Sequence, residues 1–145
     1  MYKIFHNNIK HFSLIIGYLN LLRSFYYSSA EGNTEDKSYI IADKMIERFK
    51  NFCKKTIKEI EKLIEDPSLT TSLNTKDLKE IVKLMNSLAK PASQGLIQEI
   101  GDSILQIEKF IDFLLNDFPE KTINQVDLRA IKTTVKVFKY QIYLC

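Results

Sequence analysis

Between Ile97 and Phe118 the apolar residues fall at Ile97, Ile100, Ile104, Ile107, Ile111, Leu114 and Phe118, in alternating steps of three and four. That rhythm keeps one face of an α-helix apolar along its whole length, as in a helix packed lengthwise against others. The same rhythm recurs along the chain. Residues 3–28 carry Phe12, Ile15, Leu19, Leu22 and Tyr26. Residues 35–66 carry Ile41, Met45, Phe49, Phe52, Ile57, Ile60 and Ile64. A shorter stretch, about 75–90, holds Leu78, Ile81, Met85 and Leu88, and residues 122–144 hold Leu128, Ile131, Val135, Phe138 and Ile142.

The breaks between these stretches have their own chemistry. Residues 28–33 and 67–74 are polar connections, and Glu35 and Asp36 suit the positive end of a helix dipole. Asp66-Pro67 ends the second helix, because the proline ring disfavours helical backbone in the residue before it. Asn74 or Thr75 is the expected cap of the third helix, and Pro91 and Pro119 punctuate the chain around the fourth. The expected fold is therefore all-α: a four-helix up-down bundle with one additional short helix, in a single domain spanning residues 1–145. Its long helices would span roughly 30 to 45 Å each.

Composition agrees with that picture. Gly (4) and Pro (3) are scarce and Trp is absent, which favours long helices over a turn-rich β fold. The net charge of +3 neither demands nor excludes nucleic acid. No run of apolar residues is long enough to span a membrane. The short run Leu14–Tyr18 is preceded by His6, Lys10 and His11 and followed by no small-residue cleavage site, so a cytoplasmic protein is expected. Two cysteines make no disulfide framework: Cys53 lies on an apolar face, and Cys145 is a thiol at the last position.

The candidate chemistry is sparse. His6 and His11 are five residues apart, about 140° around a helix, so they do not pair on one face as helix metal ligands do. No metal and no cofactor is expected, and no nucleotide loop or nucleophile motif appears, so an enzyme is the minority reading. Charge is uneven. Lys44, Arg48, Lys50, Lys54, Lys55 and Lys58 face one acid, Glu47, and Lys50, Lys54 and Lys58 form a ridge at i, i+4 spacing. Arg129, Lys132, Lys136 and Lys139 make the last helix basic, whereas Glu99, Asp102, Glu108, Asp112 and Asp117 make the fourth acidic. Phe25, Tyr26, Tyr27 and Tyr39 surround the first loop, and Tyr140 and Tyr143 crowd the C-terminus. If close in space, these aromatics would line a pocket or a dimer contact; otherwise they close the end of a bundle core.

The first helix reads His6-Asn7-Asn8-Ile9-Lys10-His11-Phe12-Ser13-Leu14-Ile15-Ile16-Gly17-Tyr18-Leu19-Asn20-Leu21-Leu22. It resembles the phosphoacceptor helix of sporulation-type histidine phosphotransferases and their related sensor kinases, over about residues 5–65. The resemblance implies that His6 is the phosphoacceptor, flanked by Lys10 and His11; a homodimer through the first two helices is one partner arrangement this chain could adopt. Two positions depart from the family pattern: Asn7 replaces the acidic neighbour, and Lys10 stands at the asparagine position. The eighty residues after this stretch read as helical and hold no Gly-rich nucleotide loop. A second, fainter likeness joins Met45–Phe52 and the helix around it to the HEPN-like bundles that partner minimal nucleotidyltransferases. The Arg-Asn-x-x-x-His motif of their RNase relatives is absent.

Three functions follow as expectations. The first is a regulatory or adaptor bundle that binds a protein partner, in two-component or sporulation-type signalling. The second is a bundle binding nucleic acid, or partnering a nucleic-acid enzyme, through Arg48, Lys50, Lys54 and Lys58. The third is a sensor holding an apolar ligand.

Overall fold

The apolar rhythm of the sequence is a buried face. All seven residues of the Ile97–Phe118 row are 8% exposed or less, and Phe12, Ile15, Leu19, Leu22 and Tyr26 are 1% exposed or less. The computed structural model describes residues 2–30, 37–66, 73–88, 93–118 and 123–144. Among them run α1 (Tyr2–Ala30), α2 (Ser38–Glu65), α3 (Lys76–Asn86), α4 (Gln94–Asp112) and α5 (Gln125–Leu144). A π-helical turn, Phe113–Asp117, prolongs α4. No strand occurs among the described residues. The expectations for residues 31–36 and 67–72, for Pro91 and Pro119 and for Cys145 lie outside them.

The helix ends have local causes. Asp66 is extended (φ −143°, ψ 96°), as the following proline requires, and α2 stops there. Thr75 is the N-cap of α3 but makes no side-chain capping bond; the Asn74 side-chain oxygen, one residue earlier, accepts from the Lys76 N–H at 2.9 Å. The Asn124 side chain does the same for Asp127 at 2.8 Å, at the start of α5. Helix α3 is shorter than the expected run to Lys90. The Ser87 and Leu88 N–H groups turn back to the carbonyls of Leu84 and Met85 (3.2 and 3.0 Å), and the Ser87 hydroxyl donates to Leu84 O at 2.6 Å. These tightened i→i+3 bonds close the helix.

Helix α1 packs against α2, α4 and α5, and α2 packs against α1, α3 and α5. Phe12 meets Phe49 and Phe52 while Tyr27 meets Tyr39, so α1 and α2 are antiparallel. Phe5 meets Phe118 while Tyr26 meets Ser93, so α4 is antiparallel to α1 as well. Ser13 meets Gln141 and Phe12 meets Phe138, which sets α5 beside the first half of α1. The short helix α3 has neighbours on both sides, α2 and α4, while α5 rests mainly on α1 and α2.

Phe12 joins these layers. Its ring lies 6.1 and 6.0 Å from Phe49 and Phe52 of α2, 6.4 Å from Phe110 of α4 and 5.5 Å from Phe138 of α5. One side chain thus touches all three helices that pack on α1. At the other end of α1, the buried Tyr26 hydroxyl donates to Leu88 O at 2.7 Å and lies 2.9 Å from the Ser93 hydroxyl. It ties α1 to both sides of the link between α3 and α4. Gly101 in α4 faces Met85, whose Cε would lie 3.6 Å from an added Cβ. That is ordinary contact, so the close approach of α3 and α4 does not depend on glycine.

Phe12→Ala is expected to destabilise the fold by about 3–5 kcal/mol, because it opens a cavity between four helices at once. Urea unfolding followed by circular dichroism measures this; a loss well under 1 kcal/mol would contradict the packing.

Candidate interaction surface on the first and fifth helices

Helix α5 carries two stripes with the same three-four rhythm. One is the expected row, in which Ile131, Val135, Phe138 and Ile142 are buried and Leu128 is half-buried. The other comprises Val126, Ala130, Thr133, Val137 and Tyr140, in steps of four, three, four and three. It points outward: Val126, Val137 and Tyr140 are 78%, 54% and 68% exposed. A helix with one partner face needs one apolar stripe, so the second is the unusual feature.

Beside this stripe lies α1. The two helices enclose an open groove of about 440 Å³. Tyr2, His6, Ile9, Lys10 and Ser13 line it from α1, and Thr133, Thr134, Val137, Phe138 and Gln141 from α5. The Ser13 hydroxyl and the Gln141 side-chain oxygen, 3.4 Å apart, cross it. A second, shallower hollow continues along α1 through Lys10, Ser13, Leu14, Gly17, Tyr18 and Leu21. Leu14 and Leu21 there are 38% and 61% exposed.

Helix α1 contains no acidic residue, and α5 contains one, Asp127, which bonds with Asn124 at the helix start. Lys10 is the lysine that lines the groove, whereas Lys132 and Lys136 lie on the other side of α5, in a hollow against α2 that Glu61 and Glu65 also line and where Lys139 meets Glu61 at 3.2 Å.

The residues singled out by sequence are distributed over several surfaces. His6 is exposed on the groove, with the Tyr2 hydroxyl 3.5 Å from its Nδ1 and the two rings 5.5 Å apart. Lys10 is exposed where the groove and the hollow meet. His11 is turned away from His6, half-buried, and its Nδ1 has no hydrogen-bond partner among the described residues. Arg48 faces Glu80 of α3 at 3.7 Å. Lys50 is half-buried, and the Lys54 ammonium stands 5.0 Å above the ring of Tyr143. Lys58 borders a separate polar hollow between α2 and α3 that also holds Glu59 and Asp77. The α2 ridge is thus interrupted by acids and by an aromatic ring. No group of three or more metal-ligating residues occurs among the described residues. None of their helices is long and apolar enough to cross a membrane.

The two aromatic groups are far apart. Tyr27 stacks on Tyr39 at 4.8 Å near the end of α1, while Tyr143 sits beside Lys54 at the level of Ser13. About 20 Å of helix separates them. Tyr27 donates to Asp43 at 2.8 Å, and the same carboxylate takes Arg23. That hydrogen bond is the main cause that raises the Tyr27 phenol above its ordinary value, followed by burial and by the negative charge of Asp43.

Sequence reasoning missed Val126, Ala130, Thr133, Val137 and Tyr140. Their signal was the repeated three-four spacing on a helix that already had one complete stripe. Comparison of the chain with family models, with curated proteins and with solved structures finds no match.

Because Tyr27 keeps its proton longer when folded, its contribution is fully present below pH 10 and is lost as pH rises through the raised value. Phenolate absorbance during alkaline titration should therefore show a late-ionising tyrosine that Tyr27→Phe or Asp43→Asn removes; an unchanged titration would contradict the assignment.

Proposed function

We propose that this chain is a regulatory or adaptor module of the cytoplasm that acts by binding another protein. We read its arrangement as an up-down ring of α1–α4 with α5 docked on α1 and α2. One observation carries the reading: α5 exposes Val126, Val137 and Tyr140, and the open groove that Val137 borders runs through Lys10 and Ser13 into a hollow holding the exposed Leu14 and Leu21 of α1. Contiguous apolar surface of this kind on a folded domain marks an interaction site. The nucleic-acid reading is weaker. Its basic ridge on α2 is interleaved with Glu80, Asp77 and Glu59 and lacks open aromatic platforms for base stacking. The grooves are open rather than enclosed, which favours a macromolecule over a buried apolar ligand.

A photoreactive benzophenone side chain placed at Val137 should give discrete protein adducts in cells of the native host. The same group at exposed Lys83 on α3 should give none. Equal labelling at both positions would sink the reading.

A second reading rests on His6, which the groove leaves exposed with the Tyr2 hydroxyl at Nδ1. If His6 donates its Nδ1–H to the Tyr2 oxygen, the ring is oriented and Nε2 keeps the lone pair that would attack a phosphoryl group, the orienting role that a carboxylate has in the family that α1 resembles. Under this reading the purified chain, incubated with a cognate kinase, takes up acid-labile, base-stable phosphate that His6→Gln abolishes. Label that persists in His6→Gln would refute it.

A further inference from the structure

We infer that two copies of this chain pair through the outer face of α1, antiparallel, about a two-fold axis between Gly17 and Tyr18. The inference gives the hollow over Gly17 to a second copy. It is tested apart from the protein-binding reading above, whose probe stands on α5.

The first part of the argument is the form of the hollow. All of its lining comes from one helix: Lys10, Ser13, Leu14, Gly17, Tyr18 and Leu21. Leu14, Gly17, Tyr18 and Leu21 stand at i, i+3, i+4 and i+7, the four corners of the hole that takes a side chain of a facing helix. Leu14 and Leu21 are 38% and 61% exposed, Tyr18 is half-buried, and Gly17 leaves its corner bare. A Cβ added at Gly17 would meet nothing within 4 Å, so packing inside the described chain does not call for glycine there. Glycine is also a poor helix former. What it permits is the close approach of a backbone from outside.

The second part is symmetry. The spacing three, one, three reads the same in both directions along the helix. An antiparallel copy turned about the midpoint sets Leu14 against Leu21 of the second copy, and Gly17 against Tyr18 of the second copy. The face thus carries both a protruding ring and the bare corner that receives it, as an isologous contact requires.

Charge decides the occupant and its direction. Between Lys10 and Arg23, α1 has no permanently charged residue, and Arg23 is turned to Asp43 of α2. The other helices expose charge: Lys54 and Lys58 on α2, Glu99 and Asp102 on α4, Arg129 and Lys136 on α5. An uncharged face gains nothing from a charged partner, which would have to leave its ions unpaired on apolar surface. The described face that matches it is its own. Lys3 and Lys10 both lie on the N-terminal side of the hollow. A parallel pair would set these lysines side by side. The antiparallel pair moves the two Lys10 residues about 22 Å apart along the axis, beyond the Debye length of about 8 Å at physiological salt.

Sedimentation velocity over roughly 1–200 µM should show a concentration-dependent dimer. Leu21→Glu should raise its dissociation constant at least about ten-fold, with circular dichroism unchanged because Leu21 is 61% exposed. The double variants Leu14→Glu with Leu21→Glu and Leu14→Lys with Leu21→Lys should each be monomeric alone and form a dimer when mixed, because the antiparallel pair sets each glutamate against a lysine. Nitroxides at Asn7→Cys in a Cys145→Ser background fix the direction. They should lie about 30 Å apart in the antiparallel dimer, against about 10 Å in a parallel one. A monomer throughout that range, a dimer indifferent to Leu21→Glu, no dimer on mixing, or labels about 10 Å apart would each overturn the inference. A monomer that still gives host adducts at Val137 overturns this inference alone. A dimer without those adducts removes only the protein-binding reading.

Discussion

The structure depends on the packing of three helices around α1 at Phe12. That ring contacts aromatic side chains of α2, α4 and α5 together, and Phe5, Ile9, Ile15, Leu19 and Leu22 extend the same buried face along the helix. A helix covered from three directions has little room for charge, because an unpaired ion taken out of water is costly. This accounts for the composition of α1: 29 residues with Lys3, Lys10 and Arg23 as the only permanent charges. Aromatic rings at edge-to-face and stacked geometries add specificity to the apolar burial and hold the helices in register.

The same constraint creates the surface. The 20 residues of α5 run beside the first half of α1, and the 29-residue α1 continues beyond it. Where α5 ends, the polar set Arg23, Asn20, Asp43 and Tyr27 takes over between α1 and α2. On the far flank of α1, no helix among the described residues covers Leu14, Gly17 and Leu21. The groove and the exposed stripe of α5 therefore arise from two neighbouring rods that share one buried seam and expose a second.

Most of the helical layout is legible in the sequence, because helix burial imposes a period that side chains must follow. The Ile97–Phe118 row is buried throughout, and Asp66 is extended before Pro67. Less was legible where the cause is non-local. Periodicity says that a helix has an inner face but not which helices meet there, so the place of α3 between α2 and α4 needed coordinates. The bond from Tyr26 to Leu88 joins residues 62 positions apart, and no local pattern encodes it. The π-helical turn at Phe113–Asp117 also escapes a periodic reading, since its residues keep the three-four spacing through Leu114 and Phe118. The divergence of His6 and His11 was readable from their five-residue separation. The unpartnered nitrogen of His11 was not.

The most direct test of α1 as the centre of the molecule is native-state hydrogen exchange resolved by residue. The account predicts that amides from Phe12 to Leu22 exchange only through global unfolding and are the slowest in the chain, while those of α5 open at lower free energy. Faster exchange in that stretch of α1 than in α5 would contradict it.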